Sequence, residues 1–271
     1  MIITILMIAF LLLLFARMHN NKKNVYNRFK NRFKYVKQPD TLGVDMSYCI
    51  VMPDRVDHAT QKMKELGGNY KLLSAIRPDL LSYTDYLTMS HTYFPGFQSF
   101  NKKSKLCVAL SFFMCFYDAY LNGYDSICVF EDDIDFPQGV PIIKESIQEF
   151  KELPEFSVFF MGYCHLPCNE EGAKRVSHSL ADVTGNKIAC NHGLCMKKYF
   201  IKKYIESRPL FYFTHNDVSL TYFCITSGIG VVVPIRELVK QRREEMGSNN
   251  GNSAEITTCD FTNTEFEDSF F

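Results

Sequence analysis

The sequence predicts an α/β fold, a mixed and mostly parallel sheet flanked by helices. Three observations predict it. Short apolar runs with β-branched residues alternate with helical stretches along residues 47–235. Most of these runs stop at Pro or Gly, which punctuate both kinds of element. At 271 residues and 46% hydrophobic, the chain has the length and composition of a folded domain with appendages.

The elements follow in order. Tyr48-Cys49-Ile50-Val51-Met52 is a buried strand ended by Pro53. A helix over Ala59–Leu66 follows, with Asp54 or Asp57 as its cap and Gly67-Gly68 as its stop. Tyr70–Ile76 is the next strand. Residues 80–104 are rich in Ser, Thr, Tyr and Asn and predict a long loop, a length that points to function. Leu106–Leu121 is apolar nearly all round, so it predicts a core helix, closed by Asn122-Gly123. Ser126–Phe130 is a buried strand, residues 140–152 an acidic amphipathic helix, and Ser157–Met161 another strand. A polar region containing Gly, Cys and His separates it from a helix over Met196–Ser207, and Ile229–Val233 is the last strand, ended by Pro234.

Formal net charge is zero, with 30 basic and 30 acidic residues, but the charge is segregated. Residues 17–37 carry eight basic groups and no acid, and residues 244–271 carry seven acids and no base. Ile2–Ala16 is an apolar run broken only by Thr4. With Met1 and Met18 it reaches the lower end of the ~17–25 residues that span a bilayer. No basic stretch precedes it, and Arg17-Met18-His19-Asn20 lacks a small-residue cleavage pattern, so it predicts a retained single-pass anchor. The expected organisation is an anchor at 1–18, a basic juxtamembrane linker at 19–46, an α/β domain at 47–243 and a disordered acidic tail at 244–271. The basic run after the anchor favours a cytoplasmic domain, and residues 1–37 are expected to meet membrane lipids. No nucleic-acid partner is expected, because lipid contact explains the basic stretch more simply.

The sharpest feature is Glu131-Asp132-Asp133-Ile134-Asp135, four carboxylates in five residues at the end of an apolar strand. In open α/β sheets ligands bind outside the carboxyl ends of strands. Like charges so close need neutralising, and a hard divalent cation, Mn²⁺ or Mg²⁺, does this with oxygen ligands while holding a diphosphate. A solvated acidic turn is the plain alternative. Phosphatases of the haloacid-dehalogenase type need Asp-x-Asp-x-Thr after the strand, and here Phe136-Pro137 stands in place of the Thr position. Nucleotide-sugar glycosyltransferases of the GT-A type need an Asp-x-Asp-like motif after a hydrophobic strand, preceded by a nucleotide-binding α/β half, and that order fits.

The chain resembles the family 25 glycosyltransferases, the lipopolysaccharide and procollagen galactosyltransferase type. The residues that carry the resemblance are Cys49-Ile50-Val51-Met52-Pro53-Asp54-Arg55, Ala75-Ile76-Arg77-Pro78, and Cys107-Val108-Ala109-Leu110-Ser111-Phe112 leading to Glu131-Asp132-Asp133. Phe112 replaces the family's His. The resemblance implies a GT-A-like fold, a UDP-sugar donor carrying galactose or glucose, Mn²⁺, inversion, and a glycan, lipid or protein acceptor. It implies Asp133 as metal ligand with Asp135 in support, Asp132 on the ribose or donor sugar, Glu131 as a brace, and Arg55 and Asp54 near the nucleotide. Asp217 is the candidate base for the acceptor hydroxyl, with N-capping of the following helix as its plain alternative. His192 matches the acceptor-side segment, though a single His is more often structural.

Cys164, His165, Cys168, Cys190, His192 and Cys195 supply enough groups for zinc, but the spacing is not that of a zinc ribbon. Free core thiols are the expectation, since disulfides require an oxidising compartment.

Overall fold

The computed structural model of the chain describes Met7 and residues 22–86, 103–164, 173–207 and 216–242. The anchor over residues 1–18, apart from Met7, and the acidic tail over 244–271 lie outside the described residues, as does most of the long loop expected at 80–104.

The apolar run at Tyr48 forms β2 (Met46–Val51), buried along nearly its whole length. Pro53 opens a 3₁₀ turn at Pro53–Arg55, which feeds α2 (Val56–Leu66). Neither expected acid caps α2: Arg55 stands at the N-cap position without a side-chain bond. Gly67, at φ 78°, ends the helix as only glycine does without strain. Strand β3 (Tyr70–Ser74) lies parallel to β2. Helix α3 (Lys103–Asn122) is the expected core helix. It is long and apolar enough to cross a membrane, yet most of it is buried inside the fold. Strand β4 (Ser126–Glu131) then lies parallel to β2 on the side away from β3.

Further elements are β5 (Ile134–Asp135), α4 (Val140–Glu152), β6 (Phe156–Cys164), β7 (Lys174–Arg175), β8 (Leu180–Asp182) and β9 (Ala189–Lys197). They are followed by α5 (Lys198–Glu206), α6 (Asn216–Ser227), β10 (Gly230–Pro234) and β11 (Lys240–Gln241). With β1 (Phe33–Val36) they build a nine-stranded mixed sheet in the order β1-β3-β2-β4-β9-β6-β10-β8-β7, beside a small β5–β11 ribbon. Pairing is parallel in β3/β2/β4 and in β6/β10, and β9 runs antiparallel between the two groups. Side chains such as Phe116 of α3, Phe200 of α5 and Phe223 of α6 cover one face against Tyr48, Val129 and Phe160. Met63 and Leu66 of α2 with Ile147 and Phe150 of α4 cover the other against Val51, Phe130 and Phe159. This is a sheet sandwiched between two helix layers.

Two expectations are corrected. The segment read as a linker, 19–46, is part of the domain from residue 22 onward. Residues 22–29 form a helix, α1, that buries Val25 and Phe29, one turn apart, in the core. Strand β1 then pairs antiparallel with β3. A buried carboxylate pins the arm: Asp118 of α3 accepts hydrogen bonds from the Tyr26 and Tyr48 hydroxyls and from Lys71 Nζ, each at 2.6 Å. The interleaved basic residues masked this amphipathic pattern. The second correction is β9, which was read as polar loop followed by helix from Met196. Its first half, Ala189-Cys190-Asn191-His192, lacks the continuous apolar run that a central strand normally shows.

Candidate functional site

The chain runs from β2 through α2 to β3 on one side, then through α3 to β4 on the other side of β2. The strand order therefore reverses at β2 and β4, and the crevice outside their carboxyl ends is where α/β sheets bind ligands. Ile50 and Glu131 are register partners across the two parallel strands, so the segments that follow them leave the sheet side by side.

There the sequence motifs meet. Met52 donates its backbone N–H to Asp132 Oδ2 at 2.5 Å. Arg55 Nη1 lies 3.1 Å from Asp132 Oδ1 and 3.6 Å from Asp133 Oδ2, and all three side chains are close to nine-tenths buried. The guanidinium offsets the repulsion between the two carboxylates. Beneath them the Cys49 thiol is pushed well above its ordinary pKa, first by burial and then by the neighbouring carboxylates.

A strap over residues 235–242 crosses the same end of the sheet. Val239 N–H donates to Met161 O at 3.2 Å, and Arg242 N–H donates to Asp133 O at 2.7 Å. Strand β11 of the strap pairs with β5 just beyond the motif. Gly162 and Gly193, opposite each other in β6 and β9, make room for it. A Cβ on Gly162 would stand 2.2 Å from His192 Cδ2 and 2.6 Å from Val239 O, and one on Gly193 would stand 3.1 Å from Val239 Cβ. At the tip of the strap, Gln241 Nε2 donates to Glu131 Oε2 at 2.6 Å and faces Asp133 Oδ1 at 3.4 Å.

Of the residues singled out from the sequence, Arg55, Glu131, Asp132 and Asp133 come together. Asp54 is exposed. Asp135 turns away to Lys62 of α2, whose Nζ donates at 2.6 Å. That bond holds the Asp135 carboxyl below its ordinary pKa despite partial burial. His192 is buried in β9 with Nε2 3.0 Å from Val239 O, so it ties the strap to the sheet. Asp217 lies in the first turn of α6, where Oδ1 accepts Val218 N–H at 2.9 Å, and Oδ2 accepts Cys190 N–H at 2.7 Å. It clamps the start of α6 to the start of β9. Phe112 is buried in α3 against Phe116.

Sequence reading missed Gln241 and Lys62. Gln241 carried no signal. Gly162 and Gly193 did: a glycine inside a strand often marks another backbone in close approach.

Among the described residues, no three His, Cys, Asp or Glu side chains are arranged as a ready-made metal site. The donor set at the strap nevertheless suits a hard cation. Glu131 and Asp133 converge on the Gln241 amide, and Gln241 Oε1 is buried with no partner. A half-turn of that amide would give three oxygens from three side chains. Asp132 is committed to Met52 and Arg55, and Asp135 to Lys62.

The cysteines are not all free. Cys190 is disulfide-bonded, which corrects the expectation of free thiols there. Cys195 is free and buried opposite Cys128, its register partner in β4.

No family model and no curated protein matches this chain. A solved structure titled "Crystal Structure of A197 from STIV" is similar to it at TM-score 0.38 and 14% identity, over 69% of this chain and 80% of its own.

Proposed function

We propose that the chain is a metal-dependent glycosyltransferase of the GT-A type, which moves a hexose, galactose or glucose, from a UDP-sugar to a hydroxyl of a glycan, lipid or protein with inversion. The observation that carries this reading is the meeting of Arg55 with Asp132 and Asp133 outside the carboxyl ends of β2 and β4, where the strand order reverses. Glu131, Asp133 and Gln241 are the residues that would hold Mn²⁺ or Mg²⁺, which supplies charge neutralisation for a diphosphate leaving group. Asp132, fixed by Met52 N–H and Arg55, faces the nucleotide. Asp217 is the proposed base. Its two oxygens each serve one backbone N–H and keep lone pairs for the acceptor hydroxyl. The acceptor oxygen attacks the anomeric carbon, its proton passes to Asp217, and the bond to the UDP oxygen breaks.

Residues 1–18 are the proposed anchor. Lys23, Lys30, Lys34 and Lys37 are exposed on the arm that follows and are suited to an anionic lipid surface. The basic arm favours a cytoplasmic domain, and the disulfide at Cys190 favours an oxidising compartment. Protease protection of the domain in sealed vesicles separates the two.

The test of activity is a screen of UDP-sugars for hydrolysis and transfer, with and without Mn²⁺. Turnover that needs Mn²⁺ and vanishes in Asp133→Ala is the expected result. A second reading, a tethered binding protein with the fold but no turnover, is favoured by Arg55 already neutralising the two aspartates and by Phe112. It predicts UDP binding without release of sugar. Release of phosphate from a monoester would point instead to a phosphohydrolase.

A further inference from the structure

The Cys190–Asp217 clamp is flanked on each of its two segments by an asparagine with an unsatisfied amide. Asn191 is 5% exposed and Asn216 7%, and the Nδ2 of each is buried without a hydrogen-bond acceptor. A buried donor left unpaired costs about 1–3 kcal/mol, and native folds hold few of them. The clamp links the two segments that carry them. Asp217 Oδ2 takes the Cys190 N–H at 2.7 Å, and each asparagine is the immediate neighbour of a clamp residue. With 3.8 Å between successive Cα atoms and the bond spanning the clamp, their Cα atoms lie within roughly 15 Å of each other.

Their place in the sheet is equally specific. Phe130 of β4 pairs with Gly193 of β9, so Asn191 lies beyond that rung, in the irregular stretch between Gly193 and Ala189. This is the end at which β4 presents Glu131, Asp132 and Asp133. Across neighbouring strands the order is Arg55 after β2, the carboxylates after β4, then Asn191 on β9, with Asn216 joined to that strand through the Asp217–Cys190 bond. A nucleotide with its diphosphate at the carboxylates and its base toward β2 extends its far group over β9.

We infer that Asn191 and Asn216 form a recognition site for the hydroxyl groups of a sugar. A sugar hydroxyl oxygen accepts from an amide N–H, and two buried amides that lack protein partners gain theirs only when the ligand arrives. Such a site also discriminates, because a ligand without the hydroxyl leaves the amide unpaired. The direction from nucleotide to sugar rests on the glycosyltransferase reading, whereas the unpaired amides stand without it. The sugar is the donor hexose or the acceptor glycan.

The test uses the full chain in detergent: wild type, Asn191→Leu, Asn216→Leu and the double variant. Melting temperature is followed with UDP, UDP-galactose and UDP-glucose, each with Mn²⁺, and with methyl β-galactoside and methyl β-glucoside. Without ligand the leucine variants are expected to melt at or above the wild-type temperature, because an apolar side chain of the same size replaces an unpaired amide. The shift from UDP is retained, and hexose binding weakens about tenfold per amide removed. Loss of the increment that a UDP-hexose gives over UDP assigns the site to the donor. Loss of glycoside binding with that increment intact assigns it to the acceptor. If UDP and UDP-sugars fail to bind while glycoside binding is lost in the variants, the sugar site stands and the donor reading falls. The inference is overturned if the double variant keeps full hexose binding or if the wild type binds no hexose in any form. It is also overturned if the leucine variants melt well below wild type, which would mark the amides as structural.

Discussion

Replacing Arg55 by Met tests the electrostatics at the switch point. Arg55 is 8% exposed at its side chain and faces Asp132 at 7% and Asp133 at 11%. Met keeps much of the length and the packing but removes the charge, so two buried carboxylates lose their cation. Breaking a buried pair by removing one partner costs about 3–5 kcal/mol. Asp132 keeps the Met52 N–H and Asp133 keeps Gln241, so the lower end applies, about 3 kcal/mol. For a domain of this size each kcal/mol lowers Tm by about 2–4 °C, so the variant should melt roughly 6–12 °C below wild type. The assay is thermal unfolding at pH 7, with urea denaturation as a check that unfolding remains two-state. Mn²⁺ at 100 times its Kd adds about 2.7 kcal/mol to either protein, so the gap narrows only by as much as the cation binds the variant, stripped of the competing guanidinium, more tightly. A loss below about 1 kcal/mol would refute the reasoning, because the carboxylates would then not depend on the guanidinium.

Three other perturbations follow from the same geometry. Gly162→Ala places a methyl 2.2 Å from His192 and 2.6 Å from Val239 O, so the strap must shift; a loss of about 1–3 kcal/mol or more in thermal unfolding is expected. The Arg28 guanidinium and Ser82 hold the Asp85 carboxyl well below its usual range. A depressed folded-state pKa stabilises the fold above the unfolded value near ~3.9, and that contribution is lost as pH falls through the folded value. NMR titration should find the Asp85 carboxyl ionised well below the ordinary range in wild type and returned toward that range in Arg28→Met. Alkylation at pH 8 should leave Cys107 unmodified in the native protein, because burial pushes its thiol up to about 12. Under denaturing but non-reducing conditions Cys107 should react, while Cys190 reacts only after reduction.

The strands and helices with one clear period were legible in the sequence. The runs at Tyr48, Tyr70, Ser126 and Ile229 and the helix at Leu106 all appear within a few residues of their expected bounds. Glu131, Asp132 and Asp133 stand out in the sequence because carboxylates directly after an apolar strand have few structural uses, whereas Arg55 is singled out only by the resemblance. Three features escaped. Helix α1 hid its buried Val25 and Phe29 among basic residues, and the partner that fixes it, Asp118, lies 92 residues away from Tyr26. Strand β9 carries Asn191 and His192 where a central strand is normally apolar, since its early residues serve contacts at the strand ends rather than the core. Gln241 meets Glu131 across 110 residues, and only tertiary structure joins two such positions. Asp54 enters with Arg55 through the resemblance, and Asp135 through its closeness in sequence to the carboxylates, but the chain turns after Asp133 and Asp135 faces Lys62 instead.

The most direct test of the central claim is calorimetric titration of UDP into the full chain, with and without Mn²⁺, for wild type and Asp133→Asn. The account predicts binding that requires the cation and weakens at least tenfold in Asp133→Asn. No binding of UDP with any divalent cation, or equal binding in the variant, would contradict it.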